Sequence, residues 1–174
     1  PTPHGEGEVI LDAAAITKEA QEEAYRREVV KLIFGNAGLI LSDFSCSVES
    51  KMTLHGHMYV TTRFICFYSN FFGYEKKILL PYKTINCISK TSDSVFLSPG
   101  VEISTAKQGY VFRNFWDREE AYKILRDCHR AGVGQPHLPD SVFPNLVRRI
   151  RSSQATRRAA KQAIERHASA SSDA

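Results

Sequence analysis

The chain has 174 residues, a formal net charge of +4, and 43% hydrophobic against 24% charged residues, a balance that fits one globular domain with appendages. No apolar run approaches the roughly 18 to 20 residues a membrane span needs, and no charged-then-apolar leader opens the chain. It starts at Pro1 rather than Met, so a longer parent polypeptide is expected.

The charge is unevenly placed. Residues 1–132 carry 16 Lys/Arg and 16 Asp/Glu, whereas residues 133–174 carry seven basic side chains (Arg148, Arg149, Arg151, Arg157, Arg158, Lys161, Arg166) against three acidic ones (Asp140, Glu165, Asp173). A basic tail on a neutral body suits an anionic partner, lipid or nucleic acid, or simply a solvated end. From residue 144 on the tail lacks the Phe, Tyr and Trp side chains on which bases stack, so nucleic acid is not expected. Cys46, Cys66, Cys87 and Cys128 stand far apart without a C-x-x-C pair, the pattern of reduced, mostly buried thiols in a cytosolic protein.

Residues 1–15 mix Pro, Gly, Glu and Ala and are read as a flexible N-terminus. A helix follows over 16–35, with Thr17 as its N-cap, acidic residues in the early turns and Gly35 as its stop. The period then changes to two. Leu39 to Ser50, Thr53 to Thr62, Arg63 to Asn70, Tyr74 to Pro81, Ile85 to Lys90, Val101 to Thr105 and Tyr110 to Phe115 read as seven short strands. Their brief connections require an antiparallel arrangement, because parallel neighbours need long crossovers. Asp117 then caps a second helix to Arg130, with Ala121, Ile124, Leu125 and Cys128 on one face. A linker at 133–143 leads to a weaker basic helical tail at 144–174, where Leu146, Val147 and Ile150 share a face.

Several stretches carry a family likeness. They are Leu54-His55-Gly56-His57-Met58-Tyr59-Val60, Ile65-Cys66-Phe67-Tyr68-Ser69-Asn70, and Phe71-Phe72-Gly73-Tyr74-Glu75. Asp43-Phe44-Ser45-Cys46-Ser47 precedes them, and Lys77-Ile78-Leu79-Leu80-Pro81-Tyr82, Phe112-Arg113-Asn114-Phe115 and Arg118-Glu119-Glu120-Ala121-Tyr122 follow. In order and without large gaps, this run from about Leu39 to Cys128 resembles the GRAM domain, and most of all that of the Aster/Lam-type sterol-transfer family and its plant relatives. One departure is Pro99-Gly100-Val101-Glu102, where the family usually has Pro-Asn-(Ala/Gly)-Ile. The resemblance implies a mainly β (α+β) fold: a PH-like seven-stranded antiparallel barrel over 36–132, capped by a C-terminal helix, with extra N- and C-terminal helices. It also implies recognition of anionic lipids, phosphatidylserine or phosphoinositides, often at membrane contact sites. No sterol-holding domain follows in these residues, so sterol transfer is not assigned to them.

Catalysis needs a nucleophile with its base, paired carboxylates or a metal set, and none is signalled. There is no phosphate-binding glycine loop and no H-E-x-x-H, so no cofactor is called for. His55 and His57 share a strand face without a third ligand nearby in sequence, so no metal is expected. Anion binding has better material. Hairpin pairing brings Lys51, Lys76 and Lys77 toward one end of the strands, although alternation puts Lys76 and Lys77 on opposite faces. Arg63 and Lys83 form a second, weaker patch at the other end. Phe71-Phe72 occupies a hairpin loop that should be polar. It is either a wedge for acyl chains or folded back over the core, and core packing is the favoured reading. Arg148, Arg149 and Arg151 in the tail are candidate membrane contacts, with burial of Leu146, Val147 and Ile150 in the bilayer adding a hydrophobic term. The competing reading is a protein-interaction scaffold, since such barrels also take peptides along strand edges.

Overall fold

The computed structural model describes residues 6–92, 96–132 and the isolated positions 148, 150, 152 and 159. The chain divides into two compact units, Pro1–Ala37 and Gly38–Ala174. The first is a helix, α1, over Glu6–Phe34. It begins at Glu6 rather than Ile16, so the stretch expected to be flexible is helical from that residue on. Glu8, Leu11 and Ala13 to Ala15 are strong helix formers with no Pro or Gly after Gly7, and they propagate the helix through Thr17, which is interior and not a cap. Gly35 ends it as expected: at φ 70° it takes the left-handed conformation, and its N–H donates to the Lys31 carbonyl at 2.9 Å.

The second unit is built on seven strands: β1 Ile40–Val48, β2 Leu54–Thr61, β3 Phe64–Phe71, β4 Tyr74–Pro81, β5 Ile85–Lys90, β6 Gly100–Thr105 and β7 Gly109–Arg113. They form one sheet in the order β4-β3-β2-β1-β7-β6-β5, with every neighbouring pair antiparallel. The edge strands β4 and β5 are joined by a single 3-10 turn, Tyr82–Thr84. Three residues reach about 10 Å, so the sheet must curl until the end of one edge meets the start of the other. Irregular pairing between Ile40 and Ser42 and between Ile85 and Cys87 supplies local bends. The result is the seven-stranded antiparallel barrel that the resemblance implies. β7 stops at Arg113 rather than Phe115 because Asn114 adopts φ 60° and breaks the extended run.

Alternate residues of each strand fill the interior. Met58, Val60, Ile65, Phe67, Val101, Ile103 and Phe112 are fully buried, and the Phe67 and Phe112 rings pack at 5.5 Å. The second helix, α2 (Arg118–Gly132), lies on β5, β6 and the 3-10 turn, and its expected stripe of Ala121, Ile124, Leu125 and Cys128 is buried. Asp117 caps it, accepting the Glu120 N–H at 3.0 Å. Two polar ties fix the helix to β5. His129 Nε2 donates to the Ile85 carbonyl at 2.9 Å, and Lys90 Nζ meets Glu119 Oε2 at 2.9 Å. The Lys90 hydrogen bond, with Arg118 alongside, holds the Glu119 carboxyl below its ordinary range. Tyr82 donates its hydroxyl to the Thr61 carbonyl at 2.6 Å and is itself buried, which pins the corner between β2 and the turn.

In the tail, Arg148, Ile150, Ser152 and Ala159 are helical. Leu146, Val147, Arg149, Arg151 and the linker at 133–143 lie outside the described residues. Ile150 is 3% exposed and belongs to the barrel's apolar cluster. It therefore does not serve as a lipid-facing residue, which corrects the expectation that it buries in a bilayer: an apolar side chain beside an open core edge gains its transfer energy there.

Candidate functional site

Strand direction alternates across the sheet, so three connections open on one rim: β1–β2 (49–53), β3–β4 (72–73) and β6–β7 (106–108). The β2–β3 turn and the β5–β6 loop open on the other. The hairpin between β3 and β4 is the most exposed feature of the first rim. Phe71 pairs with Tyr74, and the two residues between them, Phe72 and Gly73, have φ values of 47° and 84°. Positive φ at both positions is the tight turn that matches strand twist, usually made by Asn-Gly. Here Phe takes the first position, where an L side chain costs about 1 to 2 kcal/mol. The Asn70 side-chain oxygen stabilises the turn by accepting the Gly73 N–H at 3.2 Å.

The turn holds Phe72 in solvent at 95% exposure, with Phe71 at 53% and their rings edge to face at 4.7 Å. Core packing of this pair, the favoured expectation, is overturned. A two-residue turn has no length to fold a ring back over the barrel, and left-handed backbone directs the side chain outward. Met52 on the neighbouring loop and Tyr74 at the hairpin base are also exposed.

Lysines flank this apolar tip. Lys51 is exposed on the β1–β2 loop. In β4 the buried residues are Ile78 and Leu80, so Lys76 shares the inward-facing parity and sits half-buried at the barrel mouth. Lys77 takes the opposite face and pairs with Glu75 at 3.4 Å. Two to three strand spacings, about 10 to 15 Å, separate the β4 position from the β1–β2 loop. Sequence reading missed Lys107, exposed in the β6–β7 turn on the same rim. Its signal was there in Ala106-Lys107-Gln108, a polar turn whose rim follows once β6 and β7 are placed. Arg63 and Lys83 lie apart from this group. Arg63 is in the β2–β3 turn, where Thr61 Oγ1 accepts its N–H at 3.2 Å, and Lys83 is exposed on the 3-10 turn. The Phe64–Pro81 pairing brings these two connections side by side on the second rim.

His57 is engaged within the sheet: its Nε2 lies 2.8 Å from Asp43 Oδ2, and Ser45 Oγ lies 3.4 Å from its Nδ1. His55 is exposed. Among the described residues no three His, Cys, Asp or Glu side chains stand together in a way that could hold a metal ion. Burial pushes the Cys46 and Cys66 thiols up to about 12, so at neutral pH they stay protonated and are poor nucleophiles. Among the described residues no helix is long and apolar enough to cross a membrane.

Comparison with known proteins agrees with this architecture. The family model described as GRAM domain matches residues 26–132. The chain is 35% identical over 89 residues to Protein VASCULAR ASSOCIATED DEATH 1, chloroplastic, of Arabidopsis thaliana, covering 51% of this chain and 15% of that protein. It is 27% identical over 109 residues to Protein Aster-A of Homo sapiens, covering 63% of this chain and 15% of that protein. The chain thus spans a small part of the curated relatives it matches. Among solved structures, the C-terminal domain of an unknown protein from Leishmania infantum aligns with a TM-score of 0.52 at 22% identity, over 62% of this chain and 97% of that one. That likeness concerns the fold alone. With the family match running over more than half its length, the chain belongs to the GRAM domain family.

Proposed function

We propose that this GRAM domain is a non-catalytic module that recognises anionic lipid, phosphatidylserine or phosphoinositide, and brings a larger protein to a membrane or contact site as a peripheral cytoplasmic domain. The observation that carries this reading is Phe72, held in unfavourable backbone geometry so that its ring stands in water at the rim whose connections and strand ends also carry Lys51, Lys76 and Lys107. An exposed aromatic pair enters the acyl boundary, while ammonium groups around it meet headgroup phosphates. Magnitudes set the strength. Each rim lysine near an anionic leaflet contributes about 1 kcal/mol, and burying one Phe about 2 kcal/mol. A total of about 5 kcal/mol corresponds to a dissociation constant of a few tenths of a millimolar. Stable residence therefore calls for a second contact. Arg148, exposed at a helical position, with Arg149 and Arg151 beside it in sequence, is the proposed source.

Vesicle sedimentation tests the reading. Phosphatidylcholine vesicles doped with phosphatidylserine or a phosphoinositide should carry the protein down, pure phosphatidylcholine should not, and added salt should release it. Equal sedimentation with neutral and anionic vesicles overturns it.

A further inference from the structure

A second exposed aromatic surface lies on the other rim. A cleft of about 630 Å³ runs between β1, the β5–β6 loop and the connection from β7 to α2, with Asp43, Phe44, Ser98, Asn114, Trp116 and Asp117 among its walls. Trp116, the only tryptophan of the chain, is 90% exposed there, and Phe96 and Leu97 next to Ser98 are exposed as well. A large indole left in water beside a cleft marks an interaction surface when its position is fixed.

Here the position is fixed from both sides. Asn114, at φ 60°, donates from Nδ2 to Ser47 Oγ at 2.7 Å and accepts from Ser98 Oγ at 2.8 Å. Phe115 packs edge to face on Phe44 at 6.0 Å, and Asp117 is the cap of α2. Arg113 ties down the loop opposite, donating to the Ser98 carbonyl at 2.6 Å and to Thr91 Oγ1 at 3.2 Å while its Nε pairs with Glu49. A non-glycine residue in left-handed backbone with both ends of its amide engaged is a built feature.

Charge decides the occupant. The described walls carry the carboxylates of Asp43, which also faces His57, and of Asp117, which caps α2, and no Lys or Arg; Glu120 follows in the first turn of α2, where Glu119 is already tied to Lys90 and Arg118. The lining offers an anionic leaflet no Lys or Arg to meet its headgroups, whereas a guanidinium or ammonium group can lie over the Trp116 ring and face the carboxylates. We propose that this cleft docks a segment of a partner protein that presents Arg or Lys beside apolar residues, leaving the Lys51–Phe72 rim free for the membrane.

Selection of a random peptide library on the intact chain, and separately on Trp116→Ala, tests this. The expected result is a set of peptides enriched in Arg or Lys with apolar neighbours that bind the Trp116→Ala chain at least tenfold more weakly and the Phe72→Ser chain equally well. Thermal melting of Trp116→Ala should match the parent, since the ring makes little contact with the fold. Because Trp116 is the sole indole, its emission should shift to the blue on titration with a selected peptide and stay unchanged with phosphatidylserine vesicles. Failure to select peptides that depend on Trp116, enrichment of acidic or uncharged sequences, or a blue shift with vesicles overturns the proposal. Peptide selection on Trp116 and vesicle sedimentation of Phe72 variants read different surfaces, so failure of the first leaves the second standing.

Discussion

The side-chain oxygen of Asn70 accepts the Gly73 N–H at 3.2 Å and so closes the turn on which Phe72 stands. Stability and membrane affinity pull against each other at this turn. Phe72→Gly relieves left-handed strain of about 1 to 2 kcal/mol, partly offset by the greater freedom glycine has when unfolded. The expected gain is about 0.5 kcal/mol in urea unfolding, while affinity for anionic vesicles falls about thirtyfold from loss of the buried ring. A variant that loses both stability and affinity shows instead that the ring supports the fold.

The two rims should differ in their response to charge. Lys51→Glu combined with Lys76→Glu is expected to lower anionic vesicle binding at least about thirtyfold, and Lys107→Glu at least about fivefold. Arg63→Glu with Lys83→Glu, on the second rim, should change it less than twofold. Sedimentation at low and at physiological salt reads all of them. Equal losses from the two rims rule out a rim-specific contact.

Much of this arrangement is written in short-range pattern. Alternation in Ile78-Leu79-Leu80 fixes which face Lys76 takes, and Asp117 ahead of Glu119-Glu120 announces its own cap. What the pattern leaves open is set by geometry at turns. Phe-Gly at 72–73 signals a turn, but whether the ring lies in or out depends on turn length and on the sign of φ, which the pairing of Phe71 with Tyr74 decides. The pairing of Lys77 with Glu75 and the burial of Ile150 depend on where neighbouring side chains stand. Trp116 gave no periodic signal, since it belongs to a connection and to no strand or helix face.

Gly56 lies where β2 and β3 approach too closely for a side chain. A Cβ there would stand 2.2 Å from the Tyr68 carbonyl oxygen and 2.7 Å from Phe67 Cζ. The first neighbour is backbone and cannot yield without opening the ladder. Gly56→Ala should destabilise by about 2 to 4 kcal/mol, lowering the melting temperature by roughly 10 °C or more. Calorimetry checks this, and a shift below about 2 °C contradicts the close approach.

The cysteines give a pH-dependent expectation. Cys87 is exposed, while Cys46, Cys66 and Cys128 are buried, so a thiol reagent at pH 8 should modify Cys87 quickly and the others only through unfolding. Burial pushes Cys46 and Cys66 up to about 12, so the folded state holds these protons more tightly than the unfolded chain, whose thiols ionise near pH 9. Their contribution is complete below pH 9 and drains away between pH 9 and 12, at up to about 1.4 kcal/mol per pH unit for each thiol. Tyr82, raised by its own burial, adds to the decline at the upper end. The urea midpoint should fall across this window, and Cys46→Ala with Cys66→Ala should flatten the fall. A midpoint unchanged up to pH 11 means the thiols are wetter than their burial indicates.

Ile150 tests what the tail does for the barrel. Its side chain is buried in the apolar cluster that includes Leu125 and Cys128, although it lies well beyond the end of α2. Removing it leaves a cavity lined by the barrel core, so Ile150→Ala should destabilise by about 2 to 4 kcal/mol. Arg148→Glu changes an exposed position and should leave stability within about 0.5 kcal/mol while weakening anionic vesicle binding. Together the two variants separate a packing role from an electrostatic one at positions two residues apart. If Ile150→Ala melts like the parent but releases vesicles, the side chain works at the bilayer and its place in the core is disproved.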